Sequence, residues 1–454
     1  MSGVSDGDAL LAVLDGLVAR AGDGEGVEAY GLDSTELTVR AYEADVESLS
    51  SARTRGVGVR VLREARFGYA WTADLSEHAL AETLEAARRN ATATGPDAAN
   101  VLPAPLPPAD VGALDDPRFD ELPAEGKVGL ALRLEEAVRG AGGAIKGVDS
   151  ATYGDVRATV AIASSTGIRA ATTRCDAYVM VEALAAADGA TTSAFGLDTA
   201  RIPQDLDVDA AAAEAVRRAL LVLGGRKPGT ARLPVVFDPF ATAEVLGVLS
   251  GALTAEAVQK GRSLFAGKVG ERIGAERLTL VDDGTLPGGL STMPWDDEGV
   301  PTSRTLLLDR GVLQGFLHNS HTAAREATTS TGNASRAGFR SPPGVAPTNL
   351  HLLPGEHSAE QLLGSVDEGF YCQRLMGLHS GANPVSGEFS VGVSGVMVRG
   401  GALAEPVREA TIAGTLPEML LGVVSVGSDL RWLPFGGGLG GLTLVVEGMT
   451  LAGA

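Results

Sequence analysis

The chain has 454 residues, a formal net charge of −20, 60 glycines and only 4% aromatic residues. That length points to two domains rather than one core. The acidity excludes nucleic acid and an anionic membrane surface as natural partners, since both need a basic face.

In chain order, residues 8–21 carry Leu10, Leu11, Leu14, Leu17 and Val18 at helical spacing. The segment is acidic with no basic leader, so it reads as an amphipathic helix and not a signal peptide. From Val27 the period drops to two, and 27–74 is expected to hold four or five strands with short turns. Ser76 is placed to cap a helix reaching about Asn90. The stretch 95–123 contains seven prolines, from Pro96 to Pro123, and reads as an extended connector. A helix over about 124–139, strands over 151–186 turning at Gly167, and a helix over about 209–223 follow. The loop "GGRKPGT" (224–230) marks a domain boundary. Beyond it, "LPVVFDPF" is a buried strand, 241–257 an apolar helix, and the remainder mostly short strands and Gly/Pro turns. The expected fold class is therefore α+β. Residues 1–225 form a mixed domain of antiparallel strands with flanking helices, and 226–454 a β-rich, open barrel-like domain.

No apolar run reaches the roughly 18 residues of a membrane span. Cys175 and Cys372 lie far apart in the chain, which suits a reducing, cytoplasmic setting better than a disulfide scaffold.

Self-sufficient catalytic constellations are missing. His318 and His321 have the i, i+3 spacing of two metal ligands on a helix. The other histidines, His78, His351, His357 and His379, supply no second pair, so the two read as polar residues opening a helix after a hairpin. Asp282-Asp283 and Asp296-Asp297-Glu298 read as turn-forming, solvated acids. "FGGGLGGL" (435–442) is not set between a strand and a helix of a βαβ unit, so it reads as a close backbone approach rather than a dinucleotide loop.

The order of several longer motifs resembles the TldD/PmbA family, also known as modulators of DNA gyrase. The motifs are "KGRSLFAGKVGERI" (260–273), the D-D-G-T, D-D-E-G, G-x-L-x-G and T-G-N signatures between Leu278 and Arg336, "GANPVSGEFSVGVSGVMVRGG" from Gly381, and "VGSDL" (426–430). The resemblance implies a zinc metallopeptidase built from a TldD-type and a TldE-type chain, acting on unfolded or extended peptides, including ribosomally made precursors. The TldD-type chain carries H-E-x-x-x-H on a helix and a later cysteine. Counting back from Lys260-Gly261, the equivalent stretch is "LGVLSG", which puts Leu246, Gly247 and Gly251 at the ligand and base positions. No cysteine follows Cys372, and the glycine run stands in that region. The resemblance thus implies the TldE/PmbA branch: no cofactor in this chain, zinc in a TldD-type partner, and a peptide substrate. Asn333, Arg336, Asn383 and Ser386 are candidates for groove or interface contacts, with turn formation as their plain alternative. Two other functions remain open: a homodimeric peptide-binding or scaffold protein without peptidase activity, and a hydrolase built on His318 and His321.

Overall fold

A computed structural model of the chain describes residues 6–434 and 437–453. The N-terminal half runs α1 (Asp6–Val18), β1 (Gly26–Tyr42), β2 (Asp45–Arg63), β3 (Arg66–Thr72), α2 (Glu77–Ala93). It then repeats the order with α3 (Ala124–Gly140), β4 (Ile145–Ser164), β5 (Arg169–Ala187), β6 (Ala190–Ala200) and α4 (Val208–Leu221). The six strands make one antiparallel half-barrel sheet in the order β3-β2-β1-β4-β5-β6. Two helix-strand-strand-strand-helix units therefore meet at the β1–β4 pair. Helices cover one face: α1 buries Leu10, Leu11, Leu14 and Leu17, and α3 buries Ala131, Leu134 and Val138. The expected N-cap is present, with Ser76 Oγ accepting from the Ala79 N–H.

The span 27–74 holds three strands, not four or five. The hairpin turns fall at Glu43-Ala44 and Glu64-Ala65, all four residues at φ of 53–62°. Such turns are usually marked by Asn-Gly or Asp-Gly, so the sequence carries no flag there. Gly56 and Gly58 lie inside β2. A Cβ on Gly56 would sit 2.3 Å from the Phe339 ring, and one on Gly58 2.0 Å from the Tyr69 hydroxyl.

In the second half, β7 (Ala231–Phe237) joins the strands Glu368–Met376, Glu388–Arg399, Ala402–Thr415 and Leu444–Gly453. Pairing of 410–413 with 450–453 closes these five into a barrel, where the sequence suggested an open one. A second sheet contains Leu280–Asp283, Arg304–Asp309, Asn349–Leu352, Gly438–Gly441 and Arg431–Leu433. The helix α5 (Pro239–Ala252) packs against strands of both. Its Leu246 and Leu249 share one core with Phe237, Phe370 and Leu439.

The acidic runs are a correction. Asp282, Asp283, Asp296 and Glu298 are buried, and the first two lie on a strand. They are internal acceptors, because basic and amide donors from distant segments reach them. Among the described residues, no helix is long and apolar enough to cross a membrane.

Candidate functional site

The site is built on α5. Asp238 caps it, accepting from the Phe240 N–H at 3.0 Å, and Pro239 starts it where no N–H is needed. The same carboxylate receives Arg218 at 2.9 Å and the Tyr371 hydroxyl at 2.7 Å. The helix entrance is thus locked to α4 and to the strand Glu368–Met376 by a buried, charge-assisted cluster.

The glycine strand Gly438–Gly441 lies across this helix. A Cβ on Gly441 would fall 1.8 Å from the Pro239 carbonyl oxygen and 2.6 Å from the Ala243 nitrogen. Only glycine permits that approach. The Leu439 side chain reaches within 3.1 Å of where a Gly247 Cβ would stand. The two stretches that the resemblance connects, 246–251 and the glycine run, therefore meet in space. Phe435 and Gly436, which open that run, lie outside the described residues.

Helical spacing puts Glu244, Gly247, Val248 and Gly251 on the more open face of α5. Leu246 points into the core at 3% exposure. Gly251 has nothing within 4 Å of its Cβ position. Leu246, Gly247 and Gly251 present no side-chain donor atom, so they do not fit a metal ion. Glu244 is the acid on the stripe, a residue the sequence reading passed over. Burial pushes its carboxyl up to about 7, against the pull of Arg374 and Arg218, and Oε2 has no hydrogen-bond partner. An acid on an otherwise apolar helix was the available signal. Among the described residues, no group of three or more His, Cys, Asp or Glu is placed to hold a metal.

Beside that face, Val245 and Val248 of α5 line a small apolar cavity with Phe237, Leu375, Leu378 and Phe389. The loop 377–387 runs beside it. Asn383 and Ser386 are exposed in this loop. Asn383 Oδ1 accepts from the Val385 and Ser386 N–H groups at 2.9 and 3.2 Å, and Ser386 Oγ accepts from Glu388 N–H at 3.3 Å.

Asn333 and Arg336 sit elsewhere, inside the protein. Asn333 Nδ2 donates to Asp282 at 2.6 Å and to the Ala346 carbonyl at 3.1 Å. Burial raises the Asp282 carboxyl to about 6, opposed by the Asn333 and Thr348 donors. The Arg336 side chain is fully buried and pairs with Glu28 of β1. Its Nε donates to the Asp297 carbonyl at 3.0 Å, and its guanidinium stacks 4.9 Å over Tyr30. Arg60 of β2 pairs with the same Glu28 and with Glu298 at 2.7 Å. The Ser320 N–H adds a 2.8 Å bond to Glu298. Burial acts to raise the Glu298 carboxyl, but Arg60 and these donors hold it below the usual range. The D-D-E-G stretch is thus an ionic joint between the half-barrel sheet and the segment 320–336.

The two histidines do not form a metal pair. His318 precedes the short helix Ser320–Arg325, which Asn319 caps, so the pair does not share a helix face. His318 is buried and lies 3.8 Å from Glu326, whereas His321 Nε2 lies 3.2 Å from Asp97 of the proline-rich connector.

Comparison with known proteins agrees with this architecture. The PmbA/TldA metallopeptidase domain 1 matches residues 27–91, the central domain 117–223 and the C-terminal domain 230–453. The metalloprotease PmbA of Escherichia coli O157:H7 is 28% identical over 422 residues, covering 92% of this chain and 91% of that protein. A metalloprotease of Synechocystis is 30% identical over 421 residues, covering 90% and 88%. Among solved structures, a Thermotoga maritima protein described as a modulator of a DNA gyrase superposes with a TM-score of 0.90 at 28% identity, over 97% of this chain and 99% of that one. TldE from Thermococcus kodakarensis shares the fold, with a TM-score of 0.86 at 24% identity over 94% and 97%. The fold and the domain matches place the chain among metallopeptidase-related α+β proteins. Within that class, the chain belongs to the PmbA/TldD metallopeptidase family.

Proposed function

We propose that this chain is the TldE-type, metal-free subunit of a heterodimeric zinc metallopeptidase that cleaves unfolded or extended peptides in the cytoplasm, with maturation of ribosomal peptides as one use. One observation carries the reading: α5 holds Leu246, Gly247 and Gly251 where a catalytic relative would need two imidazoles and a carboxylate. Zinc and its activated water then belong to a TldD-type partner. This chain shapes the chamber and restricts it to extended peptides, which a sheet edge holds largely without regard to sequence. The division near 225/226 separates the half-barrel unit from the barrel unit in this scheme. The exposed turn with Asn383 and Ser386 remains a candidate for partner or peptide contact.

The test is co-expression with a TldD-type chain bearing H-E-x-x-x-H. The expected result is a stable complex with zinc and peptidase activity, both lost when the partner's ligands are changed. A homodimer that binds peptide but gains no activity with any such partner would replace this reading with the scaffold one.

A further inference from the structure

Among the described residues, part of the outer side of β2 has no strand partner. β2 and β5 are each 19 residues long and occupy equivalent places in the two repeated units. In the second unit, β6 pairs with β5 from Ala177 onward. The connector reaches the rest of that edge, with the Cys175 N–H donating to the Leu114 carbonyl at 3.1 Å. In the first unit, β3 is shorter and pairs with β2 only from Val57 to Arg63. Residues 47–55 are consecutive, extended and exposed. Among the described residues their backbone groups bond to nothing but β1. They form the outer strand of a two-stranded arm, which is marginally stable by itself and offers a row of unpaired N–H and C=O groups.

The edge carries two exposed arginines together with Glu47, which pairs with Arg40. Arg53 and Arg55 contact the single Asp33 at 2.7 and 3.1 Å, and their side chains are 64% and 43% exposed. Beside the point where β3 ends, Arg340 lies 5.0 Å over the Trp71 ring. Trp71 and Leu49 are exposed at 46% and 51%. Exposed aromatic and arginine pairs of this kind serve as interface anchors.

We propose that β2 residues 47–55 are the docking edge for a strand of the metal-carrying subunit, added antiparallel to the half-barrel sheet, with acidic side chains facing Arg53 and Arg55 and an apolar one over Leu49. This rests on the subunit reading above. An added strand completes the arm as the connector completes the equivalent edge of β5. The charge complement sets partner and register, since Arg53 and Arg55 would repel a basic strand.

The experiment compares wild type with two variants in complex with a TldD-type chain. Arg53→Glu/Arg55→Glu reverses the charge without touching the core. Ser51→Pro removes one N–H; Ser51 and Cys175 are each the seventh residue of their strand, and Cys175 directs its N–H outward to Leu114. Expected are slowed amide hydrogen exchange within 47–55 on complex formation and at least a tenfold weaker Kd for both variants, with the melting temperature of the free chain unchanged. A wild-type complex with no added protection at 47–55, and variants that bind as tightly as wild type, overturns this inference and leaves the subunit reading standing. A wild-type chain that binds no TldD-type partner overturns both. Self-association of wild type that the charge reversal abolishes would assign the edge to a second copy instead and overturn the proposal.

Discussion

Arg336 and Glu28 stand 308 residues apart in the chain and form one ion pair in the interior, with the arginine side chain wholly buried. The pair ties the T-G-N segment to β1. Two arginines, Arg60 and Arg336, share Glu28, so neither half of the joint is neutral without the other.

Removing one partner of such a pair strands a buried charge. Arg336→Ala is expected to lower unfolding stability by about 3–5 kcal/mol, and Arg336→Met combined with Glu28→Gln by much less. Urea denaturation measures both. Equal losses in the two would mean that lost packing, not a stranded charge, sets the cost.

Glu244 makes a pH prediction with a definite sign. Its folded carboxyl titrates near 7, above the ordinary 4.5. Below about 4.5 both states are protonated and the group is neutral toward stability. Between 4.5 and 7 the unfolded chain releases its proton first, so stability falls as pH rises. Glu244→Gln removes this loss and should stabilise the chain at pH 8 by on the order of 1–3 kcal/mol, with little change at pH 4.5. Urea midpoints across this range read it directly, and a pH-independent difference would sink the idea.

Two glycines of the site predict opposite outcomes. Gly251 is helical with open space at its Cβ position, so Gly251→Ala should stabilise the isolated chain by about 0.5–1 kcal/mol. Gly441→Ala drives a methyl into the α5 backbone and should destabilise by about 3 kcal/mol or more. Thermal melts of the two variants decide whether the glycine strand is held by the helix.

His318→Ala with His321→Ala tests the motif that looks most like a metal site. Zinc content and peptidase activity of the complex should be unchanged. Burial holds the His318 imidazole below its ordinary 6.5, so protonation favours the unfolded chain and its contribution is lost as pH falls through that value. The variant should therefore lose less stability than wild type between pH 7 and 5, as followed by urea titration. Zinc lost with His318 would restore the hydrolase alternative.

Periodicity along the chain was enough to place α1, α2, α3, α4 and the start of α5, because apolar spacing and the cap at Ser76 are local signals. Motif order was enough to reach the family and to notice that Leu246, Gly247 and Gly251 lack metal donors. Strand number in 27–74 was not legible, because the Glu-Ala turns with positive φ carry no sequence flag and the in-strand glycines answer to packing, Gly56 against Phe339 and Gly58 against Tyr69. The roles of Asp296, Asp297, Glu298, Asn333 and Arg336 were not legible either. Whether an acid in a loop is solvated or buried depends on which cation reaches it, and here Arg60 and Arg336 arrive from distant segments. What the chain alone determined was the placing of α1 to α4 and the start of α5, and the chemistry missing from α5. What only the tertiary structure decided was which charges are buried against one another, which glycines admit a backbone, and which strand edge is left without a neighbour, since each is set by contacts between residues far apart in sequence.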